Sequence, residues 1–222
     1  MKKIVIIDGG PRKTMNTAQM VEAFAKGAKA VSEEIEVRHI RLYDLEAYKG
    51  CVSCLACKLK DTKFSDVCAR KDGITEALRE AAYADGLVFA TPIYWLQPTA
   101  QLRAFIERLL FPWLSYANYK VTPPKQMPTA IIYTLSGSPE FRPMLDPHME
   151  HIEGLIAMGL PKPEHIEAIN TMMVSDKAYD RYDVAPDTVE KKRQWHSEQW
   201  ERDLQNATDA GRRMAEKILS EN

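Results

Sequence analysis

Three short apolar runs set the main limit on how this chain can fold. Ile4–Ile7, Gly86–Thr91 and Thr129–Leu135 carry no charged side chain and are rich in β-branched and aromatic residues. Such runs are typical of strands that are buried on both faces, as in the centre of a parallel sheet. Parallel strands need long crossover connections, and amphipathic helical patterns lie between these runs. The sequence therefore predicts an α/β fold.

Weaker patterns complete the layout. Residues 34–41 alternate apolar and charged side chains, which predicts a strand nearer a sheet edge, and residues 164–170 predict a fifth, weaker strand. Helical patterns cover residues 20–31, 74–83, 98–111, 145–158 and 200–218, with Pro112 ending the third helix. Five such units around a central first strand predict a right-handed, doubly wound, three-layer sandwich whose five parallel strands lie in the order 2-1-3-4-5.

Composition indicates the class of partner. Hydrophobic residues make up 45% of the 222 residues, and 30 basic side chains face 31 acidic ones. A net charge of −1 offers no bulk attraction to nucleic acid or to an anionic membrane, so small molecules or proteins are the expected partners. We expect one domain over residues 1–222, with a cysteine-containing insertion at about 50–72, a long C-terminal helix and a cytoplasmic location.

The turn after the first strand, Asp8-Gly-Gly-Pro-Arg-Lys-Thr-Met-Asn-Thr17, has the features of an anion site. Two glycines permit close approach of a ligand, Arg12 and Lys13 bring positive charge, and a helix N-terminus follows directly. The spacing matches neither G-x-x-x-x-G-K-[ST] nor G-x-G-x-x-G. The turn predicts a phosphate site, and the alternative is an ordinary tight turn with surface charges.

Two further loops should meet this turn at the carboxyl ends of the strands. Thr91-Pro-Ile-Tyr-Trp95 can offer backbone N–H donors and aromatic surface to a flat conjugated ring, and Ser136-Gly-Ser138 follows the third apolar run. In doubly wound sheets ligands bind at this edge, where the strand order reverses. The alternative is that Tyr94 and Trp95 pack against the long connection 113–128.

All four cysteines lie in one segment, Cys51-x-x-Cys54-x-x-Cys57 followed by Cys68 after ten residues. A reducing compartment makes structural disulfides a poor explanation. The spacing leaves three possibilities open. The thiolates could hold a [4Fe–4S] cluster, they could hold zinc, or they could remain unligated or redox-labile thiols.

Three motifs resemble the flavodoxin-like NAD(P)H-dependent FMN reductase family, and in particular its branch of iron–sulfur flavoproteins. They are Gly10-Pro-Arg-Lys-x-x-Asn-Thr17, Thr91-Pro-Ile-Tyr-Trp95 with the following Ala104-Phe-Ile-Glu-Arg108, and Gly50-Cys-x-x-Cys-x-x-Cys57, and the likeness covers residues 1–137. The chain departs from the family in having Gly10 in place of a serine, Asp8 in place of an amide, and a longer gap before Cys68.

The resemblance implies FMN as cofactor and NAD(P)H as a transient hydride donor. It places the FMN phosphate at Gly10, Arg12, Lys13, Asn16 and Thr17, the isoalloxazine at Thr91, Pro92, Ile93, Tyr94 and Trp95, and its far edge at Ser136 and Gly137, with Cys51, Cys54, Cys57 and Cys68 as ligands of a cluster.

The activity that the resemblance implies is an oxidoreductase that passes electrons to a flavin, quinone or similar acceptor. The alternatives are an iron–sulfur electron carrier between redox proteins and a zinc-stabilised interaction module. Family analogy further implies a homo-oligomer, with Trp113, Tyr116 and Trp195 as expected interface aromatics.

Overall fold

One mainly parallel sheet forms the centre of the molecule. The computed structural model describes residues 1–221, and its strands are β1 (Lys2–Asp8), β2 (Ile35–Arg41), β3 (Gly86–Tyr94), β4 (Gln97–Pro98), β5 (Thr129–Thr134) and β6 (Glu164–Ala168). Five strands run parallel in the order β2-β1-β3-β5-β6, and the two-residue β4 pairs antiparallel with the end of β3. The predicted doubly wound sheet and its order 2-1-3-4-5 are therefore confirmed, with β4 as an addition.

Five helices cover the two faces of this sheet. They are α1 (Asn16–Lys29), α2 (Thr75–Ala82), α3 (Ala100–Trp113), α4 (Arg142–Ala157) and α5 (Pro186–Ser220). Side chains alternate along each strand, so Ile4 and Ile6 of β1 pack with α1 and α5, while Val5 and Ile7 pack with α2, α3 and α4. This alternation of two apolar faces explains why β1 needs four consecutive buried residues.

Helix α3 is longer than Pro112 suggested. It ends at Trp113, because Lys58 Nζ donates to the carbonyls of Phe111, Pro112 and Leu114 and so caps its C-terminus. Trp113 is consequently buried and donates its Nε1–H to Asp66 O at 2.8 Å. The expectation that Trp113 is an interface aromatic is wrong.

Helix α5 begins at Pro186, well before the apolar face that starts near Trp200. Its first four turns are mainly polar and bury only Val189 and Lys192, which is why their apolar periodicity is too weak to predict a helix. Across residues 1–221, no helix is both long enough and apolar enough to cross a membrane.

Candidate functional site

The turn between β1 and α1 lies at the carboxyl end of the central strand, and its backbone is packed tightly against β3 and α3. Gly9 donates its N–H to Ala90 O at 2.8 Å and accepts from Thr99 Oγ1 at 2.9 Å. A Cβ atom at position 9 would lie 2.7 Å from Thr99 Oγ1 and 2.9 Å from Leu102 Cβ. Glycine is required here because the backbone touches the neighbouring elements directly.

The N-terminus of α1 carries no cap. Met15 occupies the N-cap position with no side-chain hydrogen bond, and the first turn contains no acidic residue. The first intrahelical bond runs from Gln19 N to Met15 O, so the N–H groups of the first turn have no intrahelical acceptor. Backbone donors and the helix dipole together favour an anion at this point.

Arg12 and Lys13 place two exposed cations beside this helix end. Arg12 donates to Met173 O at 2.5 Å, and Lys13 Nζ lies 3.2 Å from Asp44 Oδ2. Both side chains are exposed, so both can turn towards a bound anion.

Asn16 and Thr17 are buried and hold the helix start in place. Asn16 Nδ2 donates to Met172 O at 2.8 Å, and the hydroxyls of Thr17 and Thr134 lie 2.6 Å apart. Their side chains are thus engaged with the segment after β6 and with the end of β5. No sequence signal pointed to Met172 or Thr134, because both contacts join residues more than one hundred positions apart.

Asp8 does not oppose an anion at the turn, because its charge is compensated inside the protein. The fully buried carboxylate accepts from Gly10 N at 2.7 Å and from Arg41 Nη1 at 3.0 Å, and His39 Nε2 lies 2.9 Å from it. Arg41 also donates to Gly10 O at 3.3 Å. The N–H of Gly10 is therefore already engaged, and Arg41 is a neighbour of the turn that the sequence did not reveal.

The segment Thr91–Trp95, predicted as a loop, is mostly strand: β3 continues to Tyr94 and pairs there with β4, so only Trp95 lies in the turn. We keep the name second loop for this segment, which presents aromatic surface to solvent. Tyr94 is 45% exposed and Trp95 is 99% exposed, so Trp95 does not pack against the connection 113–128. Beneath them, the buried Thr91 Oγ1 accepts from Thr99 N at 3.1 Å and donates to Pro92 O at 2.8 Å. The loop is fixed at its base and open at its tip.

The third loop is held from below by a buried lysine. Lys192 Nζ of α5 donates to Ser136 O at 2.7 Å, to Asn170 Oδ1 at 3.0 Å and to Thr171 O at 3.2 Å. Burial lowers the pKa of Lys192, and none of these three acceptors is a carboxylate. A cavity of about 670 Å³ lies between Ser136–Phe141 and the first half of α5.

The sheet register brings the three loops together. Asp8 of β1 pairs with Ala90 of β3, and Pro92 of β3 pairs with Thr134 of β5, so all three strands end at the same edge. The predicted ligand residues of the turn 10–17, the loop 91–95 and the pair 136–137 therefore share one edge of the molecule.

The four cysteines lie against the second half of α3. Cys51 and Cys54 are exposed, Cys57 and Cys68 are half-buried, and all four are free thiols that line one cavity of about 20 Å³. Burial raises the pKa of the Cys57 thiol, and the charge of Lys58 offsets part of this effect. Within residues 1–221, no three ligating side chains converge closely enough to hold a single metal ion.

The sheet order, with an uncapped helix N-terminus and an exposed aromatic hairpin at the edge where the order reverses, defines a flavodoxin-like α/β protein. Comparison with known proteins makes this class more specific. The model of the family described as NADPH-dependent FMN reductase matches residues 2–153, and the chain belongs to this family.

Two relatives and one solved structure are also similar to this chain. An iron–sulfur flavoprotein of Archaeoglobus fulgidus is 30% identical over 138 residues, which are 62% of this chain and 57% of that protein. An iron–sulfur flavoprotein of Methanosarcina thermophila is 29% identical over 48% of this chain and 51% of that protein. The chain thus spans little more than half the length of the first relative and about half the length of the second. An FMN-dependent NADH-azoreductase of Bacillus anthracis, solved in complex with FMN, shares the fold with a TM-score of 0.64 at 13% identity, covering 96% of this chain and 100% of the other.

Proposed function

We propose that this chain is an FMN-dependent oxidoreductase that takes electrons from NAD(P)H and passes them to a flavin, a quinone or a similar small acceptor. The observation that carries the proposal is the uncapped N-terminus of α1 with Arg12 and Lys13 beside it. Membership of the FMN reductase family supports it. The azoreductase that shares this fold was solved in complex with FMN.

The residues at the carboxyl edge fit such a cofactor. Arg12, Lys13 and the N–H groups of the first turn of α1 would bind the phosphate, while Asn16 and Thr17 keep that turn in place. When bound, FMN supplies hydride and electron transfer that side chains cannot perform. The loop 91–95 would orient the ring with backbone donors below and the exposed faces of Tyr94 and Trp95 above.

Position 15 gives a sharp test of where the phosphate binds. Met15→Asp would cap α1 and place a negative charge at the anion site, whereas Met15→Asn supplies the same cap without the charge. Either cap should stabilise the apoprotein by roughly 1 kcal/mol, because a polar N-cap satisfies a free N–H. We expect the Asp variant to bind FMN at least about tenfold more weakly than the Asn variant, because two negative charges meet.

FMN fluorescence quenching measures the FMN affinities of the two variants, and thermal melting of the apoproteins measures how much the cap stabilises them. The rate of NADH or NADPH oxidation with a quinone as acceptor measures activity. Equal FMN affinities for the two variants would place the phosphate elsewhere. A wild-type protein that binds no FMN, or that binds FMN and oxidises neither nicotinamide, would refute the proposed activity.

A second candidate function is electron transfer through an iron–sulfur centre as well as the flavin. The observation that favours it is that all four thiols line the same cavity. Four soft thiolate ligands suit a cubane cluster, which holds its cysteines around four irons. Zinc would need four ligands at about 2.3 Å from one ion, and the thiols surround a space without converging on a point.

The cavity at the cysteines is small, so occupancy by a cluster would require the segment 50–58 to move outwards. Ser53 and Leu55 in this segment have positive φ values of 53° and 57°. Such backbone conformations are unfavourable for these side chains. We also propose a homo-oligomer, for which the apolar groove between α3 and α4, lined by Ile106, Leu110 and Leu155, is the supporting surface.

A further inference from the structure

The side chain of Arg108 on α3 is fully buried and holds both ends of the cysteine segment, defined as residues 51–68. Its Nη1 donates to Lys49 O at 3.2 Å, two residues before Cys51, and its Nη2 donates to Arg70 O at 2.8 Å, two residues after Cys68. One guanidinium thus closes the loop that carries all four thiols. A lysine could not do this, because it lacks the planar fork of donors.

One nitrogen of Arg108 takes no part in these hydrogen bonds. Its Nε–H is buried and has no hydrogen-bond partner. Arg108 lines the same cavity as Cys51, Cys54, Cys57 and Cys68. A buried donor without an acceptor is unfavourable, so this N–H calls for an acceptor from within the cavity. Sulfur atoms are the acceptors that the lining and a bound cluster would provide.

The charge balance around Arg108 leaves a surplus of positive charge. Asp72 accepts from Arg108 Nη1 and from Arg70 Nε at 3.1 Å, so one carboxylate faces two guanidinium groups. Lys58 adds a third cation next to Cys57. Its Nζ donates to backbone carbonyls at the end of α3 and lies 4.5 Å from the ring centroid of Phe111, and neither kind of contact neutralises its charge. The thiol-lined cavity is therefore suited to a group with net negative charge.

We propose that Arg108 is a positioning residue for an iron–sulfur centre held by the four cysteines, and that its Nε–H donates to a sulfur of that centre and raises its reduction potential. The inference rests on the second function proposed above. Reduction adds one electron and one negative charge and breaks no bond. A hydrogen-bond donor and a nearby cation stabilise the more negative state.

The test uses FMN-loaded protein reconstituted anaerobically with ferrous iron and sulfide. The variants are Arg108→Gln and Arg108→Lys, and the matched control is Arg103→Gln, which changes a half-buried arginine on the same helix that pairs with Glu107 at 3.6 Å. Iron and sulfide are assayed, and a titration in which dithionite supplies the electrons is followed by electron paramagnetic resonance.

We expect Arg108→Gln to lower the ratio of reduced to oxidised centre at the wild-type midpoint by at least about fivefold. Arg108→Lys, which retains the charge, should lie between Gln and wild type, and the control should match wild type. In the opposite direction, Asp72→Asn removes the counter-charge and should raise the ratio. This variant decides the question if Arg108→Gln does not fold.

Unchanged ratios in both Arg108→Gln and Asp72→Asn would overturn the role of Arg108. Wild-type protein that binds FMN but incorporates no iron would overturn this inference and leave the flavin-dependent activity standing. Wild-type protein without FMN would instead refute the flavin function, so the two failures are distinguishable in one sample.

Discussion

Among single residues, His165 on β6 carries a testable dependence on pH. It lies between two carboxylates, with Nδ1 at 2.7 Å from Glu153 Oε1 and Nε2 at 3.0 Å from Glu167 Oε2. Burial alone would lower the pKa of His165, but the hydrogen bonds with Glu167 and Glu153 outweigh it and raise the pKa. Its stabilising contribution is then complete below about pH 6.5 and is lost as the pH rises through the raised value.

We expect His165→Gln to lower the free energy of unfolding by about 2 kcal/mol at pH 6, since bonds to charged groups are lost, and by clearly less at pH 9. Urea denaturation at several pH values measures the difference. His151→Gln, at an exposed position of α4, is the matched control. A difference that does not change between pH 6 and pH 9 would show that the imidazolium is not what the two carboxylates stabilise.

The contacts of single residues also show which parts of the candidate site the sequence predicts and which it does not. The position of Arg12 and Lys13 beside a helix N-terminus was predictable, because both lie in the short turn that leads into α1. The contacts of Arg41 and Lys192 were not predictable from the sequence. Arg41 donates to the carboxylate of Asp8 and Lys192 donates to the carbonyl of Ser136, and only the folded sheet brings these groups close together. Asn16 and Thr17 were placed correctly at the helix start, but their side chains bind other elements of the protein.

Among the elements, the hairpin that joins β3 to β4 is strained at its tip. Trp95 and Leu96 form its two-residue turn with positive φ values of 49° and 65°. Such turns favour Asn and Gly, because side chains in the left-handed region cost roughly 1 kcal/mol or more. Trp95 adopts this conformation while 99% exposed, so the protein gains no packing from it. Strain at an exposed aromatic is typical of a binding loop.

Trp95→Asn should therefore have opposite effects on stability and on binding. We expect the apoprotein to gain roughly 0.5–1 kcal/mol of stability, because Asn tolerates the left-handed region. FMN binding should weaken several-fold, because the aromatic face is lost. Trp95→Phe, which keeps an aromatic ring and the strain, is the control and should change neither quantity much. Thermal melting and FMN fluorescence quenching measure the two effects. Weaker stability together with unchanged FMN affinity would mean that Trp95 serves the fold alone.

The boundaries of the strands and helices were predicted best where the local sequence pattern is strongest. The three apolar runs predicted β1, β5 and the first six residues of β3 well, because strands buried on both faces have a distinctive composition. The end of β3, up to Tyr94, was wrongly predicted as a loop, because Pro92 and two aromatic residues interrupt the apolar pattern there. The start of α5 and the hairpin strand β4 were missed. The polar first half of α5 buries little, and β4 consists of two residues whose pairing depends on a turn that no local pattern gives reason to expect.

At the scale of the whole molecule, the layer formed by α1 and α5 depends on two glycines. A Cβ atom at Gly27 would lie 1.8 Å from Thr208 O, and one at Gly211 would lie 2.0 Å from Phe24 O. In both cases the obstacle is the backbone of the other helix, which no side-chain rotation can move. The two helices therefore touch backbone to backbone, and α5, which carries Lys192 under the third loop, is fixed in position by α1.

Two glycines that look alike in the sequence should then respond oppositely to the same substitution. Gly154 lies inside α4, and a Cβ atom there would meet nothing within 4 Å, so Gly154→Ala should raise the free energy of unfolding by about 0.5–1 kcal/mol through helix propensity. Gly27→Ala gains the same propensity but forces α1 and α5 apart, and we expect a net loss of at least about 2 kcal/mol. Urea denaturation of both variants gives the comparison. A stabilised Gly27→Ala would mean that the helices are not in backbone contact, and that the position of Lys192 beneath Ser136 depends on the packing of α5 against β6 instead.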